Sequence, residues 1–97
     1  ENRSKTISIF LQNEVGYIIY LELLESHYLN KDIYFHELYL KVVNKSSRLT
    51  FQKFIDVCIS EDLIYTKKSL HDKRKITLIL SPQVIDDFEN VLWSQLN

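Results

Sequence analysis

The sequence predicts a mainly helical α+β domain with one small β-hairpin, and three observations support this prediction. Apolar residues recur at helical spacing in several segments, apolar residues alternate at Ile76, Leu78 and Leu80, and turn-forming residues separate the segments. The 97 residues are enough for a single domain spanning 1–97. With 45% apolar residues, one glycine and one proline, the composition is typical of a compact globular domain.

The first third of the chain is expected to be helical. The stretch Thr-Ile-Ser-Ile-Phe-Leu-Gln at 6–12 has apolar residues at i, i+3 and i+4 and predicts the end of a first helix. Residues 14–28 have apolar residues near helical spacing and predict a second helix, which ends at the turn signal Leu-Asn-Lys-Asp at 29–32. A short third helix is predicted from about 35 to 43.

A helix-turn-helix is predicted in the middle of the chain. The break Asn-Lys-Ser-Ser at 44–47 ends in Ser47, a good N-cap for the helix expected over 47–61. A short helix, a tight turn and a longer helix with a basic, polar outward side are its usual parts, and the longer helix is the recognition helix. The candidate DNA-contacting residues of this helix are Ser47, Arg48, Thr50, Gln52 and Lys53.

A hairpin and a last helix are predicted next. Strands are expected from about 63 to 68 and from 75 to 81, and Ser81-Pro82 is typical of a helix start. A hairpin directly after a helix-turn-helix makes it a winged helix over 33–81, with the charged loop at 69–75 as the wing. The candidate DNA-binding residues of the wing are Asp72, Lys73, Arg74 and Lys75, and the candidate phosphate contacts are Lys45, Lys67 and Lys68.

Charge is distributed unevenly along the chain. The net charge is −1, but residues 41–75 hold nine basic and four acidic side chains, a net +5. Residues 1–40 and residues 76–97 each have a net charge of −3. A localised basic region favours binding to a polyanion such as DNA, and a merely solvated basic face is the alternative.

The segment Asp-Lys-Arg-Lys-Ile-Thr-Leu-Ile-Leu-Ser at 72–81 resembles the wing of the MarR superfamily of winged-helix regulators, whose pattern is D-x-R-x-x-x-(Val/Ile)-x-L-(Thr/Ser). Leu78 stands where Val or Ile is usual, and the remaining defined positions match. The longer stretch from residue 65 to 81 looks most like the staphylococcal SarA branch, with Lys73 in place of the middle Glu of its D-E-R wing tip.

The resemblance implies that the recognition helix lies in the major groove, that Arg74 enters or skirts the minor groove, and that Asp72 pairs with Arg74. The sequence also departs from the family. Asp62 stands where the family often has Gly, and Pro82-Gln83 stands where another Gly follows the strand. The redox-sensing cysteine of some members lies near the amino terminus, where this chain has none, so redox sensing is not carried over.

The terminal segments predict a homodimer. The last helix has a wider apolar stripe than a small monomer needs for its own core, and such a patch would be unusually large if exposed. We therefore expect residues 1–13 and 82–97 to form the dimerisation helices. The candidate interface residues are Ile7, Phe10, Leu11, Ile85, Phe88, Leu92, Trp93 and Leu96.

Several other classes are not expected. The three histidines and Cys58 lack metal-ligand spacing, so no metal or other cofactor is predicted, and Cys58 is expected to be buried. No phosphate-cradling loop or catalytic motif occurs, so we expect a protein that is not an enzyme. No apolar run is long enough to span a bilayer, and the chain start is typical of a trimmed piece of an intracellular protein.

The sequence thus predicts a homodimer that binds double-stranded DNA sequence-specifically, regulates transcription and lies in the cytoplasm, associated with the nucleoid. One alternative is a plasmid, viral or replication-associated DNA-binding protein with an architectural role. Another is a winged helix used only for protein–protein interaction. The sequence leaves open whether a small-molecule effector exists.

Overall fold

The structure, a computed structural model, describes residues 3–72 and 74–96, with side chains from residue 6 onward. The helices are α1 (Arg3–Ser8), α2 (Glu14–Tyr28), α3 (Phe35–Leu40), α4 (Arg48–Ser60) and α5 (Pro82–Leu96), and the strands are β1 (Ile64–Lys68) and β2 (Ile76–Leu80). A short 3-10 turn, Ile9–Leu11, joins α1 to α2. The predicted fold class is confirmed: the chain is mainly helical, with an antiparallel hairpin after the third and fourth helices, as in a winged helix.

The hairpin is widened by the segment that precedes α3. β1 and β2 pair antiparallel with Thr66 opposite Leu78. On the other edge of β2, Tyr34 forms a bridge to Thr77, and the Leu78 N–H donates to the Ile33 carbonyl at 3.0 Å. β2 is therefore the middle one of three extended segments. This explains why Thr77 is buried, although the alternating pattern assigned burial only to its neighbours.

The start of α2 explains the one glycine of the chain. Asn13 caps the helix, because its side-chain oxygen accepts from the Gly16 N–H at 2.9 Å. A Cβ at Gly16 would lie only 2.9 Å from the carbonyl oxygen of Phe10, in the 3-10 turn. Glycine thus allows the two backbones to approach closely.

α4 has the local features that its sequence predicts. Its N-cap is Ser47, whose Oγ accepts from the Thr50 N–H at 3.1 Å. Phe51, Ile55 and Cys58 are buried along one side of the helix. After its end, Asp62 adopts φ 59°, a left-handed conformation that glycine adopts most readily.

α3 is shorter than the prediction of 35–43. It ends at Leu40 and continues as tight turns, in which the N–H groups of Lys45 and Ser46 both donate to the Val42 carbonyl at 2.9 and 3.0 Å. Val42 remains buried in these turns. The apolar periodicity therefore extends past the end of the helix.

The first and last helices are in contact with each other. α1 packs against α5, and the Thr6 hydroxyl donates to the buried carboxylate of Asp87. Phe10 is fully buried, with its ring centroid 5.1 Å from that of Tyr20 and 6.0 Å from that of Phe54. Among the described residues, none of the helices combines the length and the apolar character required to cross a membrane.

This packing corrects part of the predicted dimer interface. Ile7, Phe10 and Ile85 belong to the core of the single chain, because α1 and α5 pack against each other and Phe10 packs against Tyr20 of α2 and Phe54 of α4. These three side chains are therefore not available to a partner in this fold. The remaining candidates differ in exposure: Phe88 is half-buried, and Leu11, Leu92, Trp93 and Leu96 are exposed.

Candidate nucleic-acid interface

A cleft of about 680 Å³ separates α4 from the hairpin. Phe35 lines it from α3, Gln52 and Ile59 from α4, and Thr66 and Arg74 from the hairpin and its loop. The predicted recognition helix and wing thus form two ridges on either side of one depression. Four of the residues predicted to contact DNA line this cleft: Arg48, Gln52, Arg74 and Lys75.

The burial of α4 determines which of its side chains point outward. Successive residues are rotated by about 100°, so the direction opposite the buried Phe51 is that of residues 49, 53, 56 and 60. Of the predicted recognition residues, only Lys53 lies on this outermost line. Leu49 and Asp56 lie on the same line and are not among the predicted recognition residues, although the helical period that indicates the buried side also locates them.

The two recognition residues on the wing side of α4 have partners within the protein. The Arg48 guanidinium carbon lies 5.5 Å from the ring centroids of both Phe35 and Tyr39. The Gln52 amide donates to Asp56 Oδ1 at 3.0 Å. These contacts hold the Arg48 guanidinium over α3. They also occupy one of the two N–H donors of the Gln52 amide in a hydrogen bond to Asp56.

The recognition residues at the start of α4 take part in its cap. The Ser47 Oγ accepts from the Thr50 N–H and also donates to Thr50 Oγ1 at 3.0 Å. Nearby, the Lys45 ammonium forms an ion pair at 3.0 Å with Glu14, at the start of α2. The structural role of Ser47 and Thr50 is therefore to cap α4. Lys45 connects the turn before α4 to the start of α2.

Hydrogen bonds join the described residues of the wing. The Ser69 Oγ accepts from the N–H groups of His71 and Asp72, each at 3.2 Å. Asp72 Oδ1 in turn accepts from the Arg74 N–H at 3.0 Å and from its Nε at 3.3 Å, so the predicted pairing of Asp72 with Arg74 is present. The Arg74 side chain is 92% exposed. The predicted wing residue Lys73 lies outside the described residues.

Lys75 extends toward α3. Its Nζ lies 5.1 Å from the centre of the Tyr34 ring. Tyr34 is itself held in place: its N–H donates to Glu37 Oε1 at 2.9 Å in the cap of α3, and its backbone pairs with β2. Lys75 therefore connects the wing to α3.

The two lysines at the end of β1 lie on opposite faces of the hairpin. Side chains alternate along a strand, and Thr66 lines the cleft. Lys68 shares the face of Thr66, whereas Lys67 lies on the other face with Tyr65. Of these two predicted phosphate contacts, Lys68 alone is on the cleft side.

The residue types that could bind a metal or act as a nucleophile are the one thiol, the histidines and the acids. Cys58 is fully buried, and its desolvation raises the pKa of the thiol to about 12. Cys58 is therefore a protonated core side chain, as predicted. Within residues 3–72 and 74–96, no three His, Cys, Asp or Glu side chains are grouped closely enough to hold a metal ion.

A second, apolar surface lies at the far end of α5. A groove of about 520 Å³ is lined by Tyr28 of α2 and by Phe88, Leu92, Trp93 and Leu96 of α5. The Tyr28 hydroxyl donates to Glu89 at 2.6 Å, and partial burial together with this carboxylate raises the pKa of Tyr28 to about 12. The groove holds most of the predicted interface residues that remain outside the core.

Comparison with models of known protein families, with curated proteins and with solved structures finds no match for this chain.

Proposed function

We propose that this protein binds double-stranded DNA, with α4 in the major groove and the wing at the flanking minor groove. The observation that supports this best is the position of Arg74. It lies in the hairpin loop, almost fully exposed, and lines the same cleft as Arg48 and Gln52 of α4. An extended cation beside a helix that fits a major groove is the arrangement of a winged helix on DNA.

Electrostatics on this surface support the same proposal. Lys53, Lys68 and Arg74 are exposed. Of the acids on this surface, Asp72 pairs with Arg74, whereas Asp56 and Glu37 accept hydrogen bonds from the Gln52 amide and the Tyr34 N–H and keep their charge. Three cations that each neutralise one phosphate give a slope of about −2.7 for log K against log salt, for each protein copy. Affinity is therefore expected to fall steeply as salt is raised.

We further propose that the protein acts as a homodimer that regulates transcription in the cytoplasm, associated with the nucleoid. The supporting observation is the groove at the end of α5, where Trp93 is 62% exposed beside Leu92 and Leu96. A second copy would cover these apolar side chains and place two recognition helices on neighbouring half-sites, about one helical turn apart.

The test is fluorescence anisotropy with labelled duplexes of about 24 base pairs, long enough for two half-sites. The parent is compared at two salt concentrations with Arg74→Ala and with a matched pair, Lys68→Ala and Lys67→Ala. Both lysines are exposed neighbours on one strand, so they differ mainly in the face of the hairpin on which they lie. Arg74→Ala and Lys68→Ala are expected to weaken binding, and Lys67→Ala to leave it close to the parent.

Equal losses from both lysine variants would contradict the assignment of the cleft face to DNA. No binding by the parent, even at low salt, would contradict DNA binding itself. The winged helix would then be better explained as a protein-interaction module, for which the exposed leucine and acids of α4 are suitable.

A further inference from the structure

Leu49 is the most outward side chain in the first turn of α4. It lies about 160° around the helix from the buried Phe51. It is 63% exposed. A single exposed leucine is ordinary on a protein surface, so exposure alone does not indicate a function. The place of Leu49 within the proposed DNA surface is what matters.

The polar side chains beside Leu49 are already engaged. Arg48 lies over the rings of α3, and Gln52 donates to Asp56. Lys53, one turn further along the same outermost line, has no hydrogen bond or ion pair with any part of the chain that the structure describes. The outward side of α4 near its start therefore carries one apolar side chain, Leu49, followed one turn later by one cation, Lys53. This is a chemical pattern that a major groove can match.

The major-groove edge of DNA has one apolar group, the C5 methyl of thymine. The N-terminal residues of a recognition helix are those that reach the base edges. A lysine one turn further along is suited to a phosphate, which fixes the position of the helix but does not distinguish bases. The first turn of α4 is thus complementary to a thymine flanked by backbone phosphate.

We propose that Leu49 contacts the C5 methyl group of thymine and gives the protein a preference for thymine at that position. This inference rests on the proposed function, because it requires α4 to lie in the major groove. Covering one methyl group is worth about a fourfold difference in affinity, and about fifteenfold when both copies of a homodimer each cover one.

The experiment compares two duplexes of about 24 base pairs, one of alternating dA and dT and the other with deoxyuridine at every thymine. The two duplexes present the same hydrogen-bonding groups in both grooves and differ in the methyl group. Affinities are measured by anisotropy for the parent, for Leu49→Ala and for Leu29→Ala. Leu29, at the end of α2, is 55% exposed and lies outside α4, so it controls for the loss of an exposed leucine.

The expected result is that the parent and Leu29→Ala prefer the thymine duplex by about fourfold or more, and that Leu49→Ala binds both duplexes alike. Equal binding of both duplexes by the parent would overturn the contact and leave DNA binding standing. A preference that survives in Leu49→Ala would overturn the assignment to this residue. A parent that binds neither duplex at low salt would overturn the proposed function, and this inference with it.

Discussion

Replacing Lys75 with methionine tests whether this wing residue contacts DNA or holds the wing against α3. The sequence predicts a DNA contact, whereas the structure has the ammonium 5.1 Å above the Tyr34 ring. Methionine keeps an apolar stem of similar length over the ring and removes the charge. The substitution therefore separates the electrostatic role of Lys75 from its packing.

The two roles predict different magnitudes. A cation over an exposed aromatic ring stabilises a protein by about 0.5–1 kcal/mol, so Lys75→Met is expected to lower the free energy of unfolding by that amount. A lysine bound to one phosphate adds about 0.9 to the slope of log K against log salt. A fourfold rise in salt would then weaken that single contact by about 3.5-fold.

The assay combines denaturant unfolding with anisotropy titrations at several salt concentrations. The matched control is Lys53→Met, because Lys53 is exposed on the outermost line of α4. We expect Lys53→Met to reduce the salt slope by about 0.9 without loss of stability, and Lys75→Met to lose stability with an unchanged slope. An equal reduction of the slope in both variants would refute the anchoring role, since Lys75 would then leave Tyr34 on binding DNA.

Four further results are expected. Gly16→Ala should lower the melting temperature, because the alanine Cβ would lie 2.9 Å from the Phe10 carbonyl oxygen. Alanine is otherwise the better helix former, so a higher melting temperature would contradict the close approach of the two backbones. Tyr20→Phe should raise the free energy of unfolding by about 1 kcal/mol, because the buried Tyr20 hydroxyl has no hydrogen-bond partner among the described residues. Burial and Asp87 raise the pKa of Tyr20 to about 12, from 10. Folded Tyr20 thus keeps its proton to higher pH than the unfolded chain, and the free energy of unfolding is expected to fall between about pH 10 and pH 12, by roughly 3 kcal/mol at most. Denaturant titrations of Tyr20→Phe should show a smaller fall over the same pH range. Trp93→Glu should give monomers by light scattering, whereas Gln95→Glu, which adds the same charge elsewhere on α5, should not; unchanged mass in Trp93→Glu would place the interface elsewhere.

The sequence predicts the elements well where their determinants are local. α4 was expected over 47–61 and is observed as Arg48–Ser60, because its cap and its apolar stripe lie within the segment itself. α3 was predicted too long, since Val42 stays buried in the tight turns after the helix. Periodicity reports which residues are buried, and it does not distinguish a helix from turns that bury the same side chain.

The candidate sites were harder to predict, because they depend on contacts between distant residues. No local pattern pairs Lys75 with Tyr34 or Arg48 with Phe35. The same limit applies to the predicted interface. Apolar spacing indicated Ile7 and Phe10 as interface residues, and only the packing of α1 on α5 and of Phe10 on Tyr20 and Phe54 shows that the chain itself buries them. The outward position of Leu49, by contrast, follows from the helical period and could have been predicted.

The hydrogen bond between Thr6 and Asp87 joins residues 81 positions apart. During synthesis, the first helix leaves the ribosome long before the helix that covers it has been translated. Until then the apolar side chain of Ile7 has no α5 to pack against, while the segment from α2 to the hairpin can already fold. A variant that lacks residues 82–97 should therefore expose α1 to chaperones and proteases, whereas the domain with α5 should protect it.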